Sequence, residues 1–323
     1  LNVDKNLIPN LRLVATLIGI NTSLSFAAKI IGSFFLALQK PAINNLMGSI
    51  ASTLTLLGLW CLSMNNYKSF LSVCVLFTAL PLLVYIAFSI YAFKYKYKEL
   101  SPSIRNFKKN IIKSLVNLGM KFFVGQISGM LLMCTANLVI SNAISPAEVA
   151  SYQIAYRYFT MLTIVFTLVS TPMWSATTDA YNRGDLNWIR STTKKIEMLV
   201  LVMLVILLIM LIFSNNFYTT WTANKVHVDI GLSIWVGIYT FILLASMCYS
   251  NIIYGIGKMN LTVATVFTMA IIFIAIAYPV TIHWGIIGLV VTQSIVTLIC
   301  TIQNFIQCKL LLSGKAKGIF KIG

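Results

Sequence analysis

Long apolar runs alternate with short polar breaks from one end of the chain to the other. Runs of about 20 apolar residues, the length that carries a helix across a bilayer, occur at about 11–36, 43–64, 70–93, 117–141, 150–174, 196–214, 231–254, 260–280 and 286–308. This pattern predicts nine transmembrane helices and no soluble domain. The breaks are short except at 95–114, a basic connector containing KYKELSPSIRNFKKNIIKS. The connector divides an all-α polytopic membrane protein into a partial N-terminal lobe of three helices (1–94) and a C-terminal lobe of six with a basic tail (115–323).

Composition agrees with the pattern. Hydrophobic residues make up 59% of the chain and charged residues 10%, against about 25% charged in soluble domains. The formal net charge of +17 suggests nucleic acid in a soluble protein. Here the cations sit in the breaks between spans rather than along one face, which argues against nucleic acid as a partner. Basic residues stay on the cytoplasmic side of a membrane. With the connector inside, inside segments hold 17 of the 24 Lys and Arg residues. The outside segments hold Lys5, Arg12, Lys68 and Lys225, and Lys29, Lys121 and Arg157 fall within spans. The C-terminus is then expected on the cytoplasmic side. The N-terminus is then outside, without the basic and small-residue features of a cleaved signal peptide. Together with a first residue that is Leu1, this leads to the expectation of three further helices upstream.

A weak internal repeat fits two lobes: LALQKPAINNL (Leu36–Leu46) and YGIGKMNLTVA (Tyr254–Ala264) each join two spans through a small turn with one lysine. Repeated halves around a substrate site are common in transporters.

Ionisable groups inside spans are costly and mark candidate sites. In the first span Asn21, Ser25, Lys29 and Ser33 recur every four residues and share a helix face. Lys29 lies about 15 Å from the next turn at about 1.5 Å per residue, beyond simple snorkelling; a cavity-facing role and a packing role both stand. Lys121 has the snorkelling reading beside the functional one, and Gln126 and Asn137 share its span. The fifth span carries Glu148, Tyr152, Tyr156 and Arg157, then Thr160, Thr163, Thr167 and Ser170, and closes on Pro172 and Trp174. The two tyrosines fit an interfacial belt as well as a site. Arg157 presents a fork suited to phosphate oxygens, although snorkelling also reaches the surface from its position. Asp179, Tyr181 and Asp185 form a cytoplasmic turn in which Asp185 caps the next helix. Beyond it, Trp188 and Ile189 are expected at the headgroup level.

The remaining polar chemistry is sparse. Cys61, Cys74, Cys134, Cys248, Cys300 and Cys308 show no metal or redox spacing, and no P-loop is present. No metal or cofactor is expected, and no enzymatic role. No acid is expected inside a span, Glu197 being placed at the mouth of the sixth, and His227 and His283 fall in outside loops. A proton relay is therefore not expected.

The stretch SNAISPAEVASYQIAYRYF, followed by STPMWSATTDAYNRGDLNWIR, resembles the Wzx-type O-antigen and capsular polysaccharide flippases of the multidrug/oligosaccharidyl-lipid/polysaccharide exporter superfamily. The matching positions are Pro146, Val149, Tyr152, Ile154, Ala155, Tyr156, Arg157, Pro172, Trp174, Ser175, Ala176, Thr178, Asp179, Ala180 and Tyr181. Ser145 stands where the family has glycine. LALQKPA, TTWTANKV and YGIGKMNL are similar to further family segments. The resemblance implies helices four to twelve of a twelve-helix, two-lobe fold that rocks around a central cavity. The implied activity is flipping of undecaprenyl-diphosphate-linked oligosaccharide for lipopolysaccharide or capsule synthesis, among membrane lipids and other polysaccharide-assembly proteins. The open alternatives are a membrane-embedded O-antigen polymerase or ligase, a drug exporter of the same superfamily, and an inactive product of a truncated gene.

Overall fold

The computed structural model describes residues 8–38, 40–65, 70–103 and 109–320. Lys5, Lys68, Arg105, Lys108 and Lys321, which entered the charge count, lie outside them, as does the side chain of Arg12. The elements are α1 (Ile8–Ala28), α2 (Ile30–Ala37), α3 (Pro41–Met64), α4 (Phe70–Ile90), α5 (Lys109–Ala143), α6 (Pro146–Asn182), α7 (Leu186–Thr222), α8 (Ile230–Ile256) and α9 (Asn260–Leu312), with a π turn at Tyr91–Lys96 and short 3₁₀ turns at Lys98–Leu100 and Gly318–Phe320. The described chain is all-helical.

Eight helices among the described residues, not nine, are long and apolar enough to cross a membrane. The expected spans 260–280 and 286–308 belong to one element, α9, with helical turns on both sides of Gly285 and no loop between them. Hydropathy dips near His283 and Gly285, and that dip reads as a loop in the sequence. In the structure Gly285 takes φ 63°, ψ −159°, a conformation open essentially to glycine, and breaks the helix in a single residue. The division into three plus six helices is corrected as well. The chain falls into two compact units, Leu1–Lys108 and Lys109–Gly323, and the eight candidate spans are distributed three to the first and five to the second.

Each unit has its own core. In the first, Ile31, Phe35, Met47, Ala51 and Val84 are buried together on α2, α3 and α4. The second is centred on Phe159 and Phe166 of α6, Leu207 of α7, Val236 and Leu244 of α8 and Phe273 and Leu289 of α9. The helix starts are set by local chemistry. Ser145 accepts a hydrogen bond from the Glu148 amide, with Pro146 in the first helical position, where its missing N–H costs nothing. Asp185 accepts from Trp188 N at 2.9 Å and Asp229 from Gly231 N at 2.9 Å. Ala-sized contacts bring α6 and α8 together: a side chain on Gly255 would meet Thr177 Cβ at 2.8 Å and the Trp174 carbonyl at 3.0 Å.

The residues after Asp185 form the first turns of α7, and Ile189 is fully buried with Ala180, Ile253 and Cys308. Arg190 folds onto the end of α9, donating from Nε to the Leu312 carbonyl at 3.0 Å.

Candidate functional site

The second unit gathers most of the polar residues singled out in the sequence. Tyr152 on α6 is buried and donates its hydroxyl to Gln293 Oε1 on α9 at 3.2 Å. Its ring lies 5.7 Å from that of Tyr156, which in turn lies 6.2 Å from Tyr239 on α8. One helical turn away, Gln153 donates to Asn137 Oδ1 on α5 at 2.6 Å. Tyr152 and Tyr156 are thus core residues satisfied inside the helix bundle, not an interfacial belt. Gln293 and Tyr239 were not singled out in the sequence. The lone amide in VVTQSIV was the available signal.

Trp174 belongs to a different group. Its ring contacts Phe122 and Tyr254, both at 5.5 Å, and those two rings contact each other at 5.8 Å. Lys121 precedes Phe122 and is half-buried, while Gln126 on the same helix is exposed.

Arg157 is exposed on the side of α6 opposite Ala155, Phe159 and Phe166. It shares that side with the exposed Met161, Ile164 and Leu168, as helical spacing requires. Among the described residues the one ion pair is Arg183–Asp179 at 2.9 Å, and Arg157 makes neither an ion pair nor a hydrogen bond through its guanidinium. The hydroxyls of Thr160, Thr163, Thr167 and Thr171 all return to carbonyls of their own helix, and Ser170 is buried. The threonines therefore do not extend a free polar lining from Arg157.

Lys29 lies in the first unit, at the break between α1 and α2, and is exposed. Its carbonyl accepts from Gly32 N at 2.9 Å, and its ammonium likewise has no partner among the described residues. Asp179 and Tyr181, expected in a turn, belong to the last turn of α6, where Asp179 is held by Arg183 and Tyr181 is exposed; only Asp185 lies beyond the helix, occupied as the cap of α7.

Glu197, on α7 two residues after Lys195, is half-buried and accepts a hydrogen bond from Tyr249 Oη at 3.2 Å. No cluster of His, Cys, Asp and Glu suited to a metal occurs among the described residues.

No family model matches the chain, and no curated protein matches it. Solved structures do. A MATE transporter in complex with MaD3S superposes with TM-score 0.81 at 13% identity, over 97% of this chain and 71% of that one. A multidrug resistance MATE family transporter of the MOP superfamily in an outward-facing conformation gives TM-score 0.69 at 16% identity, over 85% and 63%. A MOP superfamily transporter from Pyrococcus furiosus, described as having a binding pocket of reverse polarity that suggests a different function, gives 0.70 at 14% identity, over 97% and 78%. The chain spans less than two thirds of the length of some of these neighbours, 63% in the outward-facing transporter. At these identities the likeness concerns the backbone, and what it shows is that the chain has the all-helical, multi-pass fold of the MATE transporters of the MOP superfamily.

Proposed function

We propose that this protein is a membrane transporter that flips undecaprenyl-diphosphate-linked oligosaccharide from the cytoplasmic to the outer leaflet of a bacterial inner membrane. The observation that carries the reading is Arg157: a guanidinium within a candidate span, exposed on an apolar side of α6 and without an acid among the described residues. A charge in that setting calls for a polar or anionic partner, and a diphosphate suits its planar fork. Lys29, a cation of the first unit without a partner among the described residues, is assigned the same anionic chemistry. The connector, the Lys40 and Lys258 turns and the C-terminal tail are placed on the cytoplasmic side by their basic residues. The resemblance of the α6 stretch to Wzx-type flippases supports the same substrate class. The aromatic and tyrosine groups hold the helices that carry Arg157.

A second reading is export of small drugs, favoured by the solved neighbour described as a multidrug resistance transporter. The 24 basic against 7 acidic residues, and Lys29, Lys121 and Arg157 within spans without an acid among the described residues, favour an anionic substrate over a cationic drug. Glu197 does not reverse this preference, because its carboxylate is already engaged by Tyr249.

The test is complementation of a flippase-null strain with the wild-type chain and its Arg157 variants, scored as surface polysaccharide at matched protein level. Arg157→Ala is expected to abolish export and Arg157→Lys to retain part of it. Full export by the alanine variant removes Arg157 from the mechanism.

A further inference from the structure

The first unit contains a groove that no sequence motif announced. One face of α3, with Asn44, Asn45, Gly48, Ser49 and Ser52, opens with Tyr85 of α4 onto a cavity of about 620 Å³, within the range of about 300–1,000 Å³ that holds a small organic ligand. No Lys, Arg, Asp or Glu lines it. A neighbouring face of α3 already serves packing: Met47, Ala51 and Thr55 are buried against α2 and α4. The groove face is therefore not needed to dock this helix within its unit. Asn45 and Ser52 are exposed in a helix apolar enough to span a bilayer, and beside them Ser49 is exposed with its hydroxyl donating to the Asn45 carbonyl at 3.1 Å. Exposed amides and hydroxyls are too costly to leave against hydrocarbon.

The groove is built, not incidental. Gly32 on α2 lets Asn44 approach, because any side chain at that position would collide with the Asn44 amide oxygen. Gly48 leaves the centre of the groove empty, and a Cβ there would meet nothing within 4 Å. Lys29 lies one helical turn before Gly32, so a cation without a partner among the described residues stands at the α2 side of the same unit.

We infer that this groove binds the uncharged saccharide portion of the lipid-linked substrate, with Lys29 facing its diphosphate. Carboxamides and hydroxyls both donate and accept, as a polyol requires, and the half-buried Tyr85 ring offers a face to the C–H side of a pyranose. The absence of ionic groups selects a neutral sugar over an acidic one. The inference rests on the flippase reading, and its test separates the two.

The full chain in nanodiscs is titrated with two probes, bare undecaprenyl diphosphate and undecaprenyl diphosphate bearing a neutral trisaccharide. Wild-type protein is expected to bind the trisaccharide form about tenfold more tightly, the equivalent of one or two hydrogen bonds. Gly48→Leu places a side chain in the groove, where its Cβ meets nothing within 4 Å, and is expected to erase that preference while leaving bare undecaprenyl diphosphate unchanged. Asn45→Ala, an exposed position, is expected to lose about fivefold for the trisaccharide form alone. Equal binding of the two probes by wild type, or an undiminished preference in Gly48→Leu, overturns the groove and leaves the flippase reading intact. A loss of thermal stability in Gly48→Leu with unchanged preference shows a packing surface and overturns it too. Binding of neither probe by wild type overturns both.

Discussion

At the residue scale the determining contrast is between polar groups that have partners and those that do not. Tyr152 bonds to Gln293 and Gln153 to Asn137, contacts that fix α6 against α9 and α5. Replacing Tyr152 by Phe leaves a buried amide oxygen without its donor, a loss of about 1–3 kcal/mol. The thermal midpoint of the purified protein should fall accordingly, and Tyr152→Phe combined with Gln293→Leu should recover part of the loss. Outside the spans, Lys40 Nζ donates to Tyr97 Oη at 2.8 Å, and this hydrogen bond holds the half-buried phenol below its ordinary 10.0. The ammonium favours the phenolate, so Tyr97 should ionise at lower pH than an ordinary tyrosine. The contribution to stability is present above the ordinary value and is lost as pH falls through the lowered one. Ultraviolet titration of wild type against Tyr97→Phe reads the shift, and Lys40→Met should abolish it. Arg157 was legible in the sequence because a charge interrupts an apolar run. Its lack of a partner was not, since that depends on the helices around it.

At the element scale, the apolar runs and caps were readable because each depends on neighbours within a turn. Ser145, Pro146 and Asp185 mark helix starts by local hydrogen bonding. What failed was punctuation: a hydropathy dip around Gly285 predicted a loop, where one positive-φ glycine suffices. Ile189 is buried against α8 and α9, which no local pattern reveals. The α6–α8 contact carries a prediction of its own. Gly255→Ala places a methyl against Thr177 and the Trp174 carbonyl, and it should destabilise by about 1–3 kcal/mol through overpacking. Thermal unfolding in detergent measures the loss, and Gly257→Ala, outside that contact, is not a substitute control because its φ of 81° adds backbone strain.

At the scale of the whole molecule, the chain forms two compact helical units and shares its backbone fold with MATE transporters of the MOP superfamily. Composition and hydropathy reached the membrane class. They did not reach the helix count, because helix continuity depends on backbone geometry at a few residues. The charge distribution makes a testable statement about topology: cysteine labelling should modify a probe placed at Lys315 only from the cytoplasmic side and one placed at Lys225 only from outside. The reverse pattern would contradict the assigned orientation. Substrate class is the central claim, and reconstitution tests it most directly. Vesicles containing the chain and an undecaprenyl-diphosphate-linked oligosaccharide are treated with an external glycosidase. The account predicts that nearly all the glycan becomes cleavable with wild-type protein, and only the outer-leaflet share with Arg157→Ala. Digestion confined to the outer-leaflet share with correctly folded wild-type protein would contradict it.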